Sequence, residues 1–136
     1  MHFTLLTLLT TALAISQQVS AAATLERRDD AKCYSGGGKW GNEDQKAEAR
    51  TKARECCNEI GTVIVPTNTQ LKRCVDYSNG KIQFRIKNGF GHDQTLNPVN
   101  CSVALNLFVY LCERGGYDDT SKGWRGRADP GEGCDP

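Results

Sequence analysis

The sequence predicts an α+β fold, a two-layer sandwich in which two helices lie on one face of a small, mainly antiparallel sheet stapled by disulfides. Two segments carry helix-start signals, several short segments are rich in β-branched residues, and seven cysteines occur among 136 residues. Placing both helices on one face of the sheet is the economical way to bury their apolar sides.

The N-terminus predicts export from the cell. An apolar run from Phe3 to Ile15, broken only by threonines, precedes the small residues of 19–23. The run is too short for a stable membrane anchor, and small residues are what signal peptidase accepts. We therefore expect a signal peptide over residues 1–23, cut after Ala21 or Ala23, and a secreted, extracellular product.

A short pro-segment, residues 24–28, is expected behind the signal peptide. Its Leu25-Glu26-Arg27-Arg28 resembles the Leu-x-[Lys/Arg]-Arg site that kexin-type proteases cut in the fungal secretory pathway. Cleavage after Arg28 would leave residues 29–136 as one cysteine-rich domain, a size that suits a single core. The alternative is that two arginines fall together by chance in an exposed polar linker.

The mature chain is expected to be electrically neutral. Without Glu26, Arg27 and Arg28, the 17 basic and 16 acidic residues become 15 of each. A neutral chain gives no overall support to a nucleic-acid or anionic-membrane partner. No later segment approaches the ~18 continuous apolar residues of a membrane span. We expect a monomer without a membrane span.

All the cysteines lie downstream of the expected cleavage site, which predicts a disulfide framework. Three bridges would use six of the seven, and we expect the odd one to be Cys56 or Cys57. Zinc is the rival use of clustered cysteines, but no Cys-x-x-Cys pair occurs and His92 is the only histidine of the mature chain. We therefore expect no metal and no cofactor. The cysteines are Cys33, Cys56, Cys57, Cys74, Cys101, Cys112 and Cys134.

The first helix is expected over residues 43–60. Asn42 is its N-cap, Gln45 is the capping-box partner of that asparagine, and Gly61 ends the helix. Before the helix, Lys39–Trp40 is expected to begin a short edge strand.

A β-hairpin is the most specific local prediction. Residues 71–78 and 81–88 flank Asn79-Gly80, a pair that favours a type I′ turn with positive φ at both central residues. Tyr77 should then face Ile82, and one face of the hairpin should be apolar and pack on a helix.

The other face of the hairpin, which we call the outer face, is expected to be polar. Cys74 belongs to it, so its bridge should cross this face to the N-terminal segment at Cys33 or to the C-terminal tail at Cys134. The outer-face residues of the hairpin are expected to be Cys74, Asp76, Lys81, Gln83, Arg85 and Lys87.

The second helix should begin at Asn97-Pro98, with the asparagine as cap and the proline at the first helical position. Residues 99–112 are apolar nearly all round, which predicts a largely buried helix. Cys101 and Cys112 lie about three turns apart on one face, so each end of the helix can be bridged separately.

Two further strands complete the expected order of elements. Thr62–Val65 is β-branched and stopped by Pro66, and residues 123–128 form a final strand closed by the turn Asp129-Pro130-Gly131.

These features together resemble small secreted cysteine-rich proteins of filamentous fungi. The order of elements is similar to that of virally encoded killer toxins and of the effector-like proteins that share their α/β sandwich. The series Gly115-Gly116, Trp124, Ala128-Asp129-Pro130 and Cys134 also resembles a C-terminal pattern of fungal secreted proteins. The resemblance implies a role against a host plant or a competing microbe, with a protein, polysaccharide or lipid headgroup on that organism's surface as partner.

We expect a binding protein rather than an enzyme. His92-Asp93 is the one acid–base pair that could act in catalysis, although adjacent side chains usually point apart. No G-x-S-x-G, H-E-x-x-H or phosphate-loop motif is present. The alternatives are a small secreted hydrolase, chiefly a ribonuclease, and an antimicrobial protein.

The expected binding surface combines cations of the hairpin and of the last strand with an aromatic side chain able to stack on a sugar ring. Its residues are Lys81, Arg85, Lys87, Arg125, Arg127 and Trp124. The plain alternative is a charged sheet face that resists aggregation, with the tryptophan as a core plug. Asn100-Cys101-Ser102 matches the glycosylation pattern, but we expect Asn100 to stay unmodified because its neighbour should be bridged within a buried helix.

The intact mass of the secreted product tests the processing and the bridges together. We expect an N-terminus at Asp29, a mass lower than that of the reduced chain by two hydrogens for each of three disulfides, and one free thiol. An uncut Leu25–Arg28 segment or three or more free thiols would contradict this prediction.

Overall fold

The computed structural model describes residues 31–131 and 133–134. The expected signal peptide, the pro-segment with Arg27-Arg28 and the expected N-terminus Asp29 lie outside the described residues. The described part contains two helices, a five-stranded and a two-stranded antiparallel sheet, and three disulfides. The predicted disulfide-stapled α+β fold is therefore confirmed. Neither helix of the described residues is long and apolar enough to cross a membrane.

The main sheet has the strand order β1-β6-β7-β4-β3, and β2 pairs with β5 in a separate ribbon. Both helices pack on the same side of the main sheet. The elements are β1 (Lys32–Cys33), α1 (Glu43–Ile60), β2 (Val63–Val65), β3 (Gln70–Tyr77), β4 (Gly80–Asn88), β5 (Gln94–Leu96), α2 (Pro98–Leu111), β6 (Gly116–Tyr117) and β7 (Trp124–Gly131).

Helix α1 begins and ends where its caps predict. The Asn42 side chain accepts a hydrogen bond from the Gln45 backbone N at 2.9 Å, and the Gln45 side chain accepts one from the Asn42 backbone N at 2.9 Å. This reciprocal pair satisfies two backbone donors that a helix start otherwise leaves without partners. Gly61 ends the helix with a φ of 72°, a conformation that glycine adopts without steric cost.

The expected edge strand at Lys39–Trp40 is wrong. Trp40 lies in a loop, is completely buried, and donates from its indole Nε1 to the carbonyl oxygen of Cys112 at 2.7 Å. The first strand is instead β1, which pairs with β6 at the far edge of the sheet. The Trp40 ring therefore fills the core between the ends of the two helices and the N-terminal segment. Its single donor, the indole N–H, is satisfied by a backbone carbonyl.

The hairpin forms, but its register differs by two residues from the prediction. Tyr77 pairs with Gly80 rather than with Ile82. Positive φ within the turn occurs at Gly80 alone, which excludes the predicted type I′ turn. Asn79 instead donates from its side chain to the carbonyl oxygen of Lys39 at 3.0 Å. Because a shift of two residues leaves every side chain on the same face, the predicted outer face of the hairpin is confirmed.

The predicted turn at Asp129-Pro130-Gly131 is also wrong, because β7 continues through these residues to Gly131. Proline is normally excluded from central strands, since it lacks a donor for the ladder. Here β6 pairs only with Arg127 and Ala128, so Pro130 lies where β7 has β4 on one side and no strand on the other. That edge position accommodates the proline.

Helix α2 is buried on the side that meets the sheet and exposed on the other. Leu105 and Phe108 are 1% and 0% exposed, whereas Val99 and Tyr110 are 70% and 57% exposed. The prediction of a largely buried helix therefore holds for one side only, because nothing in the described part of the chain covers the second side.

The disulfides follow the predicted plan. Cys33–Cys112 and Cys57–Cys101 each fix one end of α2, and Cys74–Cys134 ties the outer face to the C-terminal tail. Cys56 is the odd cysteine, as one of the two predicted candidates. It is buried, and this burial raises the pKa of its thiol to about 11, which keeps the thiol protonated and unreactive at neutral pH.

Substitution of Gly126 by alanine tests how closely α2 packs on the sheet. A Cβ at Gly126 would overlap the carbonyl oxygen of Ala104 and lie 2.8 Å from its carbonyl carbon. We expect Gly126→Ala to lower the free energy of unfolding by about 1–3 kcal/mol, because a packed core has no room for an added methyl group.

The matched control is Gly131→Ala in the same strand, where an added Cβ has nothing within 4 Å. This substitution should change the free energy of unfolding by less than about 0.5 kcal/mol. Urea unfolding followed by tryptophan fluorescence measures both. Equal stabilities of the two variants would contradict the close approach of α2 to β7.

Candidate functional site

The two central strands bring four cations together on the outer face. Lys87 of β4 lies directly opposite Arg125 of β7, and Arg85 lies opposite Arg127. Directly opposed residues of antiparallel strands have Cα atoms roughly 4.5–5.5 Å apart. Each of these side chains is half-buried. We call Arg85, Lys87, Arg125 and Arg127 the basic quartet. The sequence predicted its members, and the structure places them side by side.

A longer row of residues crosses the whole sheet through this quartet. In register order it consists of Lys72 of β3, Arg85, Arg127, Tyr117 of β6 and Lys32 of β1. Four strand spacings of roughly 4.8 Å make the row about 19 Å long. Lys32 and Tyr117 were not predicted, because β1 and β6 are too short to leave a periodic signal and the pairing of these strands is not local. Lys72 could have been predicted, because it alternates in step with Cys74 and Asp76 along the hairpin strand.

Arg127 is held in place by two tyrosines. Its guanidinium carbon lies 5.6 Å from the ring centre of Tyr34 and 5.7 Å from that of Tyr117. Its Nε donates a hydrogen bond to the Tyr34 hydroxyl. Partial burial raises the pKa of Tyr34, against the opposing effect of the Arg127 hydrogen bond, so the phenol stays neutral. The arginine is therefore a rigidly positioned cation.

A shallow cavity of about 170 Å³ lies beside the quartet. The loop after β6 forms one wall, since Asp118 accepts hydrogen bonds from the backbone N atoms of Thr120 and Ser121 at 3.1 and 3.0 Å. Arg125 is tied to the same loop, donating from Nε to the Ser121 carbonyl at 2.7 Å. The side chains that line the cavity are those of Gln70, Lys87, Tyr117, Asp118, Asp119, Arg125 and Arg127.

The Cys74–Cys134 bridge lies on the other half of the outer face. It crosses the sheet there, and Gln83, next to Cys74 in the register, is only 4% exposed. Lys81 lies beyond this covered row and forms an ion pair with Asp76 at 2.7 Å, which lowers the pKa of that carboxyl. Lys81 shares the outer face, as predicted, but the bridged row lies between it and the quartet, so its part in binding stays a prediction.

Trp124 is likewise not part of this surface. It lies on the helix-facing side of β7, is 6% exposed, and packs edge-to-face on Phe90 with ring centres 5.4 Å apart. Side chains alternate along a strand, so Arg125 and Arg127 cannot share a face with Trp124. Strict use of this alternation on the sequence would have placed the tryptophan in the core.

The side chains of His92 and Asp93 are not hydrogen-bonded to each other. The Asp93 carboxylate accepts a hydrogen bond from the backbone N of Thr67 at 3.1 Å, and the His92 Nδ1 lies 2.8 Å from the backbone oxygen of Asp93. The imidazole and the carboxylate thus have separate partners, and both residues are exposed. Within the described residues, no group of three histidine, cysteine or acidic side chains is arranged to hold a metal ion.

The different roles of Arg127 and Lys87 can be tested by unfolding. Arg127→Gln removes a hydrogen bond and two cation–ring contacts, so we expect a loss of about 1–2 kcal/mol in the free energy of unfolding. Lys87 forms no ion pair with the other described residues, and Lys87→Gln should change stability by less than about 0.5 kcal/mol. Urea midpoints of the two variants measure the difference, and equal midpoints would contradict the proposed anchoring of Arg127.

Comparison with known proteins adds no family to this description. No protein-family model matches the chain, and no curated protein matches it in sequence. The resemblance to killer-toxin-like and effector-like fungal proteins therefore stays a prediction based on residue patterns and element order.

Proposed function

We propose that the protein is a secreted binding protein, effector-like or toxin-like, that acts on a surface component of a host plant or of a competing microbe. The observation that carries the proposal is the basic quartet on the open half of the outer sheet face. Three disulfides in so small a domain are consistent with an extracellular protein, because such bridges persist in oxidising compartments.

The quartet suits binding because its cations are positioned before a partner arrives. They project from the two central strands, so the sheet fixes their spacing. Arg127 is further restrained by its tyrosines, and Arg125 by the loop after β6. Less side-chain freedom is then lost on association than with cations on a mobile loop. Partial burial also strengthens charge-assisted hydrogen bonds to an anionic partner.

The local charge of this surface contrasts with the small net charge of the chain as a whole, +1. A partner is therefore recognised at short range through the quartet rather than attracted from a distance by a net charge. The hydrolase alternative lacks comparable support, since the Asp93 carboxylate does not orient the His92 imidazole. An antimicrobial role remains one form of the proposal, with a microbial surface as the target.

Binding of labelled protein to intact leaf tissue and to fungal and bacterial cells tests this proposal. We expect saturable binding to at least one of these surfaces, and the double variant K87Q/R125Q should bind it about tenfold more weakly, because two charge-assisted contacts are lost. The same surface should release protein when NaCl rises from ~0.05 to ~0.2 M, as screening predicts.

The control is K46Q/K52Q, which removes two cations from α1 on the other side of the sandwich, where they pair with Glu43 and Glu55. It should bind like the wild type. Equal binding of both double variants, or no binding to any surface, would overturn the proposal. Leaf infiltration and microbial growth assays with the same proteins then separate a plant target from a microbial one.

A further inference from the structure

We infer that the basic quartet binds a linear acidic glycan, a polysaccharide whose successive sugar units carry carboxylates. The inference rests on the proposed function and specifies the chemistry of its partner. Three properties of the outer face support it: the spacing of its cations, the mixed chemistry of the neighbouring cavity, and the surroundings of its aromatic rings.

The cations are arranged for a repeating ligand rather than for one compact anion. Arg85 and Arg127 stand one strand spacing apart, as do Lys87 and Arg125. Lys72 continues the first row beside Arg85, and Lys32 lies beyond Tyr117 at its other end. A strand spacing of roughly 4.8 Å is close to the length of one pyranose unit. A chain of uronic acid units lying across the strands would thus bring neighbouring units to Arg85 and Arg127, or to Lys87 and Arg125.

The cavity beside the quartet contains groups that suit sugar hydroxyls as well as carboxylates. Gln70 and Asp119 line it together with Lys87 and Arg125. Arginine and lysine bind carboxylates, whereas amide and carboxylate oxygens accept hydrogen bonds from hydroxyl groups. The volume of about 170 Å³ is below that of a typical small-molecule pocket, so it fits one unit of a longer chain.

A phosphate polymer fits this surface less well. Asp118 and Asp119 line the cavity and would repel a ligand that offers only negative charge and no hydroxyl donors. Binding of single-stranded nucleic acid also relies on aromatic faces for the bases. The rings of Tyr34 and Tyr117 already lie against each other, with centres 5.3 Å apart, and against Arg127.

An anionic membrane is disfavoured for a different reason. A protein that binds a lipid surface commonly adds apolar side chains that insert among the headgroups. The exposed large apolar side chains of the described residues lie on β2 and α2, away from the outer face, and they are Ile64, Val99, Val103, Tyr110 and Leu111. The charges and the apolar groups therefore face different directions.

Calorimetric titration with a hexamer of galacturonic acid tests the inference, with a neutral glucose hexamer, single-stranded DNA and phosphatidylserine vesicles as comparison ligands. We expect the acidic hexamer to bind most tightly and the neutral one not to bind. K87Q/R125Q should bind the acidic hexamer about tenfold more weakly, K46Q/K52Q should match the wild type, and affinity should fall with added salt.

Unfolding curves of the same preparations check that both double variants are folded. Absence of acidic-hexamer binding, equal binding of the neutral hexamer, or tighter binding of DNA or vesicles would overturn the glycan inference. These outcomes leave the proposed function intact if the protein still binds cell surfaces through the quartet. Loss of cell-surface binding overturns the proposed function itself, so the two failures are distinguishable.

Discussion

The antiparallel pairing of β4 with β7 is the constraint on which the rest of the structure depends. The two strands form eight residue pairs, from Lys81 with Gly131 to Asn88 with Trp124. Alternation along these strands turns one set of side chains towards α2 and the other towards solvent. The first set supplies the core against which the helices pack, including Phe84 and the close approach at Gly126. The second set supplies the basic quartet. One register therefore creates the core and the candidate site together.

The disulfides extend this constraint to the parts of the chain that the sheet alone would not hold. Two bridges attach α2 to β1 and to α1, so the helix layer cannot slide over the sheet. The third bridge fixes Cys134 to Cys74 on the outer face of the hairpin. This bridged row, with the buried Gln83, lies between Lys81 and the basic quartet. Bridging thus shapes the surface as well as stabilising the fold.

The candidate site concentrates positive charge in a chain whose formal net charge is only +1. The half-buried arginines have partners that hold their guanidinium groups: two tyrosine rings for Arg127 and a backbone oxygen for Arg125. Such cations are spaced by strand geometry and not by flexible side chains. A partner with regularly repeating anionic groups can therefore be recognised through the match between its repeat length and the spacing of the strands.

The sequence by itself determined the local features of this protein: both helix starts, the hairpin and the residues of its outer face. It also narrowed the unpaired cysteine to Cys56 or Cys57 and indicated that the bridge of Cys74 crosses the outer face. Caps, turns and alternation act over a few residues, so a single sequence displays them. Only the tertiary structure decided the two-residue register shift, the continuation of β7 through Pro130 and the short strands β5 and β6. Each of these depends on partners distant in sequence, such as Lys39 for Asn79 and β4 for β7, whose positions local propensity does not encode.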